Sequence, residues 1–265
     1  MVSEEDIKEL RKIQVRLLDD FKTVCDKNNL VYWLDFGALL GAVRQKGFIP
    51  WDDDVDVSMP MADYKKFLEI ASTDLPSNVF LHIPGENKAY TQNFAKLCDR
   101  SSTFLHPAET GEEEIHQGIY MDIFPSANYP KMPHLLRKGL LYLTGRSWGN
   151  IAVNKKNIWL NYIIYIFCKF IWLLFSPFKS DKVAQIVEDN WYYYAIPQAY
   201  IYPLKEIEFE GKFYPAPDKT HEYLSLMYGK SYMTPPPQEK RVFSCKAIFF
   251  NTPCKFEKEL AKVTK

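Results

Sequence analysis

Between residues 4 and 28, apolar side chains return at intervals of three and four: Ile7, Leu10, Ile13, Leu17, Phe21 and Val24. That spacing puts them on one face of a helix. Ser3 followed by Asp6 resembles a capping box and predicts where the helix begins. The period then changes. Val31–Leu34 is a short apolar run that reads as a strand. Gly37 and Gly41 bracket a predicted helical turn, Ala38–Arg44, which Lys46-Gly47 breaks. Ala62–Ala71 returns to helical spacing, with Tyr64, Phe67, Leu68 and Ala71 on one side. Val79–Ile83, Phe94–Leu97 and Ile119–Phe124 predict further strands. Strands and helices interleaved in this order predict an α/β or α+β sheet core over roughly residues 1–130.

After Pro133 the pattern becomes almost continuously apolar. Leu135–Leu143 and Ile158–Phe178 read as helices, and the second run approaches the length needed to cross a bilayer. Asn161 and Lys169 interrupt it, and Lys155, Lys156, Lys179 and Lys182 flank it. A lysine in mid-span is costly in lipid. The expected arrangement is therefore a helix in or near the membrane interface, with a buried core helix as the competing reading. Residues 131–200 form this apolar helical segment. The last part, 201–265, returns to mixed structure: a hairpin over Ile207–Tyr214 turning at Glu210-Gly211, and a helix capped by Asp218, running through Glu222, Leu224 and Met227 and ending at Gly229. A Pro-rich loop, Met233–Pro237, and a helical or frayed tail beyond Phe256 follow.

Chemistry concentrates in FGALLGAVRQKGFIPWDDDVDVSMP, residues 36–60. If Asp54–Val57 is a strand, Asp54 and Asp56 project from one face while Val55 and Val57 enter the core. Two carboxylates on one rigid element suit a hard divalent cation. A metal there can bridge phosphate oxygens and offset charge as a phosphoryl bond breaks. Acidic clusters are commonly solvated turns. Here, however, Phe48, Ile49, Pro50 and Trp51 precede the cluster, and two valines lie at its end.

Composition narrows the partners. The 265 residues hold 33 Lys plus Arg and 33 Asp plus Glu. A formal net charge of zero offers no basic surface for nucleic acid, and no nucleic-acid partner is expected. Five cysteines, none in a CxxC pair, indicate neither a zinc nor a disulfide framework and fit a reducing compartment. The charged start MVSEEDIKEL has no apolar signal core. A cytoplasmic location is expected, with the active site on that side of the membrane.

A third strand candidate, GIYMDIFP, sets Asp122 between Met121 and Ile123. A Gly-bearing turn, a DxD strand and a third carboxylate on a neighbouring strand together resemble the nucleotidyltransferase fold. The resemblance extends further. GALLGAVRQKGFIPWDDDVDVSMP with Asp63-Tyr64 is similar to the signature of the LicD family of phosphocholine transferases, and GIYMDIFP to its second block. The segment from Phe213-Tyr214-Pro215-Ala216-Pro217 through Tyr223-Leu224 and Tyr228-Gly229 to Met233-Thr234-Pro235-Pro236 resembles its third. Residues 130–200 match least.

The resemblance implies an α+β, nucleotidyltransferase-like mixed sheet with an added helical, aromatic-rich segment, and residues 201–265 completing the core. It implies that Asp54, Asp56 and Asp122 hold Mg²⁺ (or Mn²⁺), with Asp122 and Asp52 as catalytic carboxylates. Phosphocholine would pass from CDP-choline to a sugar hydroxyl of a teichoic-acid or lipopolysaccharide precursor, releasing CMP. A lipid-linked glycan acceptor would suit peripheral contact with the inner face of the cytoplasmic membrane. Ala38 stands where the family often carries Thr or Ser, leaving the backbone amides of Gly37, Ala38 and Leu39 as phosphate contacts. Arg44 and Lys46 are further candidates for the donor phosphates; Lys96 and Arg241 have weaker claims.

Choline's quaternary ammonium is recognised by aromatic faces. Trp51, Trp33, Tyr120 and the run Trp191–Tyr194 are the candidate rings, with Trp51 favoured because it abuts Asp52. His116 and His82 could lie near the acceptor or be structural. The alternatives are transfer of ribitol or glycerol phosphate from its CDP donor, a nucleotidyltransferase, a DxD glycosyltransferase, or a silent choline- or glycan-binding module.

Overall fold

The computed structural model describes residues 2–152, 157–185 and 195–263. The amphipathic N-terminal stretch is helix α1, Glu4–Asn28, and its start is a complete capping box between Ser3 and Asp6. Its apolar face (Leu10, Leu17, Leu18, Phe21) is fully buried. Strand β1 is only Trp33–Leu34, shorter than the predicted Val31–Leu34. Helix α2, Phe36–Gln45, follows directly, and Lys46 closes it in the left-handed conformation at φ 59°.

Gly37 and Gly41 therefore lie inside a ten-residue helix rather than at its ends. Their lack of side chains serves close approach. A Cβ on Gly37 would strike the Asp52 carboxylate, and one on Gly41 would strike the Gly47 carbonyl. Two glycines four residues apart let the 47–52 loop lie tight against one face of α2.

Strand β2, Asp56–Pro60, begins two residues later than predicted, so Asp54 belongs to the approach loop. Helix α3, Met61–Asp74, buries Tyr64, Phe67 and Ala71. Then come β3 (Val79–His82), β4 (Ala95–Asp99), β5 (Thr103–Leu105) and β6 (Tyr120–Asn128). Two helices, α4 (His134–Ala152) and α5 (Ile158–Phe175), pack on each other as a hairpin. Strand β7 (Lys182–Gln185), β8 (Ile196–Pro197) and the short α6 (Gln198–Ile201) lead into the β9–β10 hairpin.

That hairpin, Lys205–Phe209 with Lys212–Ala216, turns at Glu210 (φ 50°) and Gly211 (φ 75°). Successive positive φ values match the twist of the flanking strands. Helix α7, Thr220–Tyr228, starts after Lys219 without a side-chain cap. Asp218 does not cap it; its backbone amide donates to Ile201 instead. Gly229 ends the helix at φ 85°. A short 3₁₀ turn at Gln238–Lys240, strand β11 (Ala247–Phe249) and helix α8 (Lys255–Val263) complete the described chain.

The architecture is α+β around a mixed sheet. The order is β1-β2-β6-β4-β3, with β7 joined to β6, and β8 to β7. β2 and β6 run parallel, with Asp56 opposite Asp122. β6 also pairs antiparallel with β4 through Tyr120–Ile123 and with β7 through Ser126–Asn128. The principal core gathers α1, α2 and α3 with Val55, Val57, Met121 and Ile123. It also takes Phe209, Tyr214, Tyr223 and Leu224 from the C-terminal part. A separate small cluster joins Tyr129, Leu140, Cys168 and Trp172 where the α4–α5 hairpin meets the sheet.

Candidate active site

Period-2 geometry and the β2–β6 register bring the carboxylates together. Asp56 and Asp122 sit opposite each other on neighbouring parallel strands, and Asp54 folds over them from the approach loop. Asp54, Asp56 and Asp122 each offer an oxygen within 4.8 Å of the others, and Asp52, Asp53 and Asp54 form a second such group. Asp52, Asp54, Asp56 and Asp122 line one cavity of about 800 Å³.

Burial dominates their electrostatics. It raises Asp54 and Asp56 well above the usual carboxylate range, and neighbouring carboxylates push the same way. Asp122 is raised by burial against the pull of Lys96, whose Nζ lies 3.2 Å from Asp122 Oδ1. Asp52 is raised to about 6 by burial and by Asp53, with Arg11 opposing. Several desolvated carboxylates with only Lys96 and Arg11 named against them make a site with surplus negative charge. Hard oxygen donors at this spacing fit a divalent cation of the Mg²⁺ type.

An unpredicted residue supports the site from behind. Asp35 is fully buried and caps α2 by accepting from the Phe36 amide at 2.8 Å. It also accepts from Ser58 Oγ (2.6 Å), Gln185 Nε2 (2.7 Å) and Tyr223 OH (2.9 Å). The Asp35 amide donates to the Asp56 carbonyl. The network thus ties α2, β2, β7 and α7 together beside Asp56. The donors Ser58, Gln185 and Tyr223 lie 23 to 188 positions from Asp35 in sequence, so no local pattern announces the network.

The sequence candidates divide. Gly37, Arg44 and Trp51 line the cavity. Arg44 donates to the Tyr232 and Thr234 carbonyls, and the Arg241 guanidinium lies 4.7 Å from the Trp51 ring centre. Ala38 and Leu39 are buried in the core, and the Leu39 amide is spent on the Asp35 carbonyl. Lys46 stands outside the cavity in an ion pair with Glu208 at 2.6 Å, because its left-handed cap turns the chain toward the β9–β10 hairpin. Tyr120 lines the cavity with Lys96 Nζ 3.4 Å from its ring centre, whereas Trp33 is core, its indole N–H on Tyr223. The run Trp191–Tyr194 lies outside the described residues, as do Lys155 and Lys156.

His116 and His82 are buried away from this cavity. Burial lowers His82 to about 4 and His116 to about 3. His106 was not anticipated and reaches the cavity wall. The other unanticipated wall is aromatic: Phe124 packs against Phe36 at 4.9 Å and Phe94 at 4.4 Å. Phe94 immediately precedes β4 and Lys96 lies within it, and a lysine in an apolar strand implies a buried anionic partner. Lys96, a candidate phosphate contact in the sequence, is paired with Asp122.

The strands that carry Asp56 and Asp122, β2 and β6, fall in a stretch that a family model matches. Residues 29–132 match LicD/FKTN/FKRP, nucleotidyltransferase domain. Asp52, Asp54, Asp56, Lys96 and Asp122 all fall within that matched stretch. Along most of its length the chain is similar to lipopolysaccharide cholinephosphotransferase LicD of Haemophilus influenzae. The two are 28% identical over 253 residues, covering 88% of this chain and 93% of that protein. An uncharacterized protein of Rickettsia prowazekii is 38% identical over 142 residues, 52% of this chain and 47% of its own. One of Rickettsia typhi is 44% identical over 55 residues, 21% of this chain and 18% of its own.

Proposed function

We propose that this protein is a phosphotransferase of the LicD type. It moves phosphocholine from CDP-choline to a sugar hydroxyl of a lipopolysaccharide-type glycan precursor and releases CMP. The observation that carries this reading is the Asp54–Asp56–Asp122 cluster, in a large cavity and within the stretch that the LicD/FKTN/FKRP model matches.

Asp54, Asp56 and Asp122 would hold Mg²⁺ or Mn²⁺, which when bound supplies charge neutralisation on the phosphate oxygens. The acceptor oxygen forms a bond to the choline-bearing phosphorus as the bond to the bridging oxygen of CMP breaks. Asp52, beside the cluster and ionised at neutral pH, accepts the hydroxyl proton. Lys96 holds Asp122 in place, and Arg44 at the rim binds the departing nucleotide's phosphate. The Phe36–Phe124–Phe94 wall presents ring faces to a methylated ammonium and keeps water from it. This wall supports choline over a polyol head group, which would need hydrogen-bonding partners there.

The test is CMP release from CDP-choline with a lipid-linked glycan extract and Mg²⁺. Release that disappears with EDTA and in Asp54→Ala and Asp56→Ala supports the reading. Activity with CDP-ribitol or CDP-glycerol alone would change the head group, and silence with every CDP donor would overturn it.

A further inference from the structure

The α4–α5 hairpin leaves an apolar surface that is exposed among the described residues. One stripe of α5 (Tyr165, Cys168, Trp172) packs inward, against the cluster containing Tyr129 and Leu140. The opposite faces are open. Trp159 is 79% exposed, Leu173 66%, Ile163 64% and, on α4, Leu135 82%. Ile166, Phe167 and Phe170 are also exposed. A soluble protein rarely shows a contiguous patch of this kind without a partner. By length and composition α5 is apolar enough to meet lipid.

Charge identifies the partner. Between Lys131 and Ser180 the sequence holds eight lysines and arginines and no aspartate or glutamate, although the chain as a whole is neutral. Lys138 and Arg146 on α4 and Lys179 just after α5 are exposed around the apolar patch. In a two-fold self-association through this hairpin these cations would meet a segment that holds no acid to answer them. An anionic bilayer answers both features, since acyl chains take the aromatic and aliphatic side chains while lipid phosphates take the cations.

We infer that the α4–α5 hairpin docks this protein in the interface of an anionic phospholipid membrane. It lies along the surface rather than across it. Arg146 and Lys169 fall mid-helix, where reaching the headgroups is easy for an in-plane helix and costly for a spanning one. The hairpin is fastened to the strand that carries Asp122. Tyr129, in its packing cluster, follows Asp122 by seven residues, most of them extended strand, about 23 Å at the usual rise. A docked hairpin therefore holds the cavity about one strand length from the bilayer, within reach of a lipid-linked acceptor. Docking itself does not depend on which donor the cavity takes.

The experiment is co-sedimentation of the full chain with phosphatidylcholine vesicles, with and without phosphatidylglycerol, across a salt series. Binding to the phosphatidylglycerol vesicles that weakens with salt is expected. The triple variant Ile163→Glu/Phe167→Glu/Phe170→Glu should lose at least about a hundredfold in partitioning. Its side chains are exposed, so its thermal transition should be unchanged. Should that variant fold poorly, Lys138→Gln/Arg146→Gln/Lys179→Gln decides the matter, with about a fivefold loss per cation at low salt. Any of three results would overturn the inference: no binding to either vesicle by a monomeric protein, a stable dimer that the Glu variant disperses while vesicles are ignored, or retention in the membrane after alkaline carbonate extraction.

Discussion

Replacing Asp56 by Asn should make the metal-free protein more stable and the enzyme inactive. Asp56 has two carboxylate neighbours, Asp54 and Asp122, each with an oxygen within 4.8 Å of its own. At an effective dielectric of about 20, unit charges that far apart repel by about 3 kcal/mol. The full sum is not realised, because a buried carboxyl can bind a proton instead, as the upward displacement of Asp54 and Asp56 indicates. Lys96 also offsets part of the charge on Asp122. A net gain of about 1–3 kcal/mol in EDTA at neutral pH is expected, or roughly 2–4 °C in Tm per kcal/mol. The amide keeps the shape of the carboxylate, so packing is preserved. Mg²⁺ at about a hundred times its Kd should raise the parent protein's stability by about 2.7 kcal/mol and leave the variant nearly unmoved. Scanning calorimetry of both proteins, with EDTA and with Mg²⁺, reads all four states. A variant less stable than the parent in EDTA, together with a parent indifferent to Mg²⁺, would refute both the repulsion and the metal site.

Gly37→Ala should cut activity sharply while leaving the Tm within a few degrees, because the added methyl displaces the Asp52 carboxylate and not the backbone; steady-state kinetics beside calorimetry checks it. Asp35→Ala should cost about 3 kcal/mol or more, since it strands the Ser58, Gln185 and Tyr223 donors in the core. Tyr223→Phe should cost about 1–3 kcal/mol, and urea titration measures both. The two buried histidines should make the fold acid-labile. Their folded values, about 4 for His82 and about 3 for His116, lie below the unfolded value near 6.5. The unfolded chain therefore binds protons first as pH falls through 6.5, and each histidine removes about 1.4 kcal/mol per pH unit down to its folded value. The raised carboxylates oppose this trend, so the diagnostic is a difference. The stability of His82→Gln should fall less than the parent's between pH 7 and 5, and an unchanged slope would refute the assignment.

Much of the helical framework was legible because its signals are local. α1 announced itself through a three-four repeat and a serine cap, and the β9–β10 hairpin through Gly211 at a position that needs positive φ. What escaped was written in contacts between distant residues. The pairing of Thr103–Leu105 with Ala247–Phe249 spans more than half the chain, and neither three-residue run carries a pattern of its own. The acidic stretch was recognisable as chemistry, but Asp54 was placed in a strand it precedes, because alternation cannot say where pairing begins. Gly37 and Gly41 read as the brackets of a short helical turn, when close packing against the 47–52 loop inside a longer helix is their use. Lys46 looked like a phosphate ligand by proximity in sequence. One left-handed residue at the end of α2 was enough to send it to Glu208.

The register of β2 against β6 has a consequence for how the sheet assembles. Its first pair, Asp56 with Asp122, is repulsive, while the next two, Val57 with Ile123 and Ser58 with Phe124, are not charged. Parallel strands separated by a long crossover must find each other by diffusion of a large loop. When they do, the charged end resists closure. The pair should zip from its far end toward the aspartates, closing the Asp56–Asp122 end last, and divalent cations or mild acid should speed that final step.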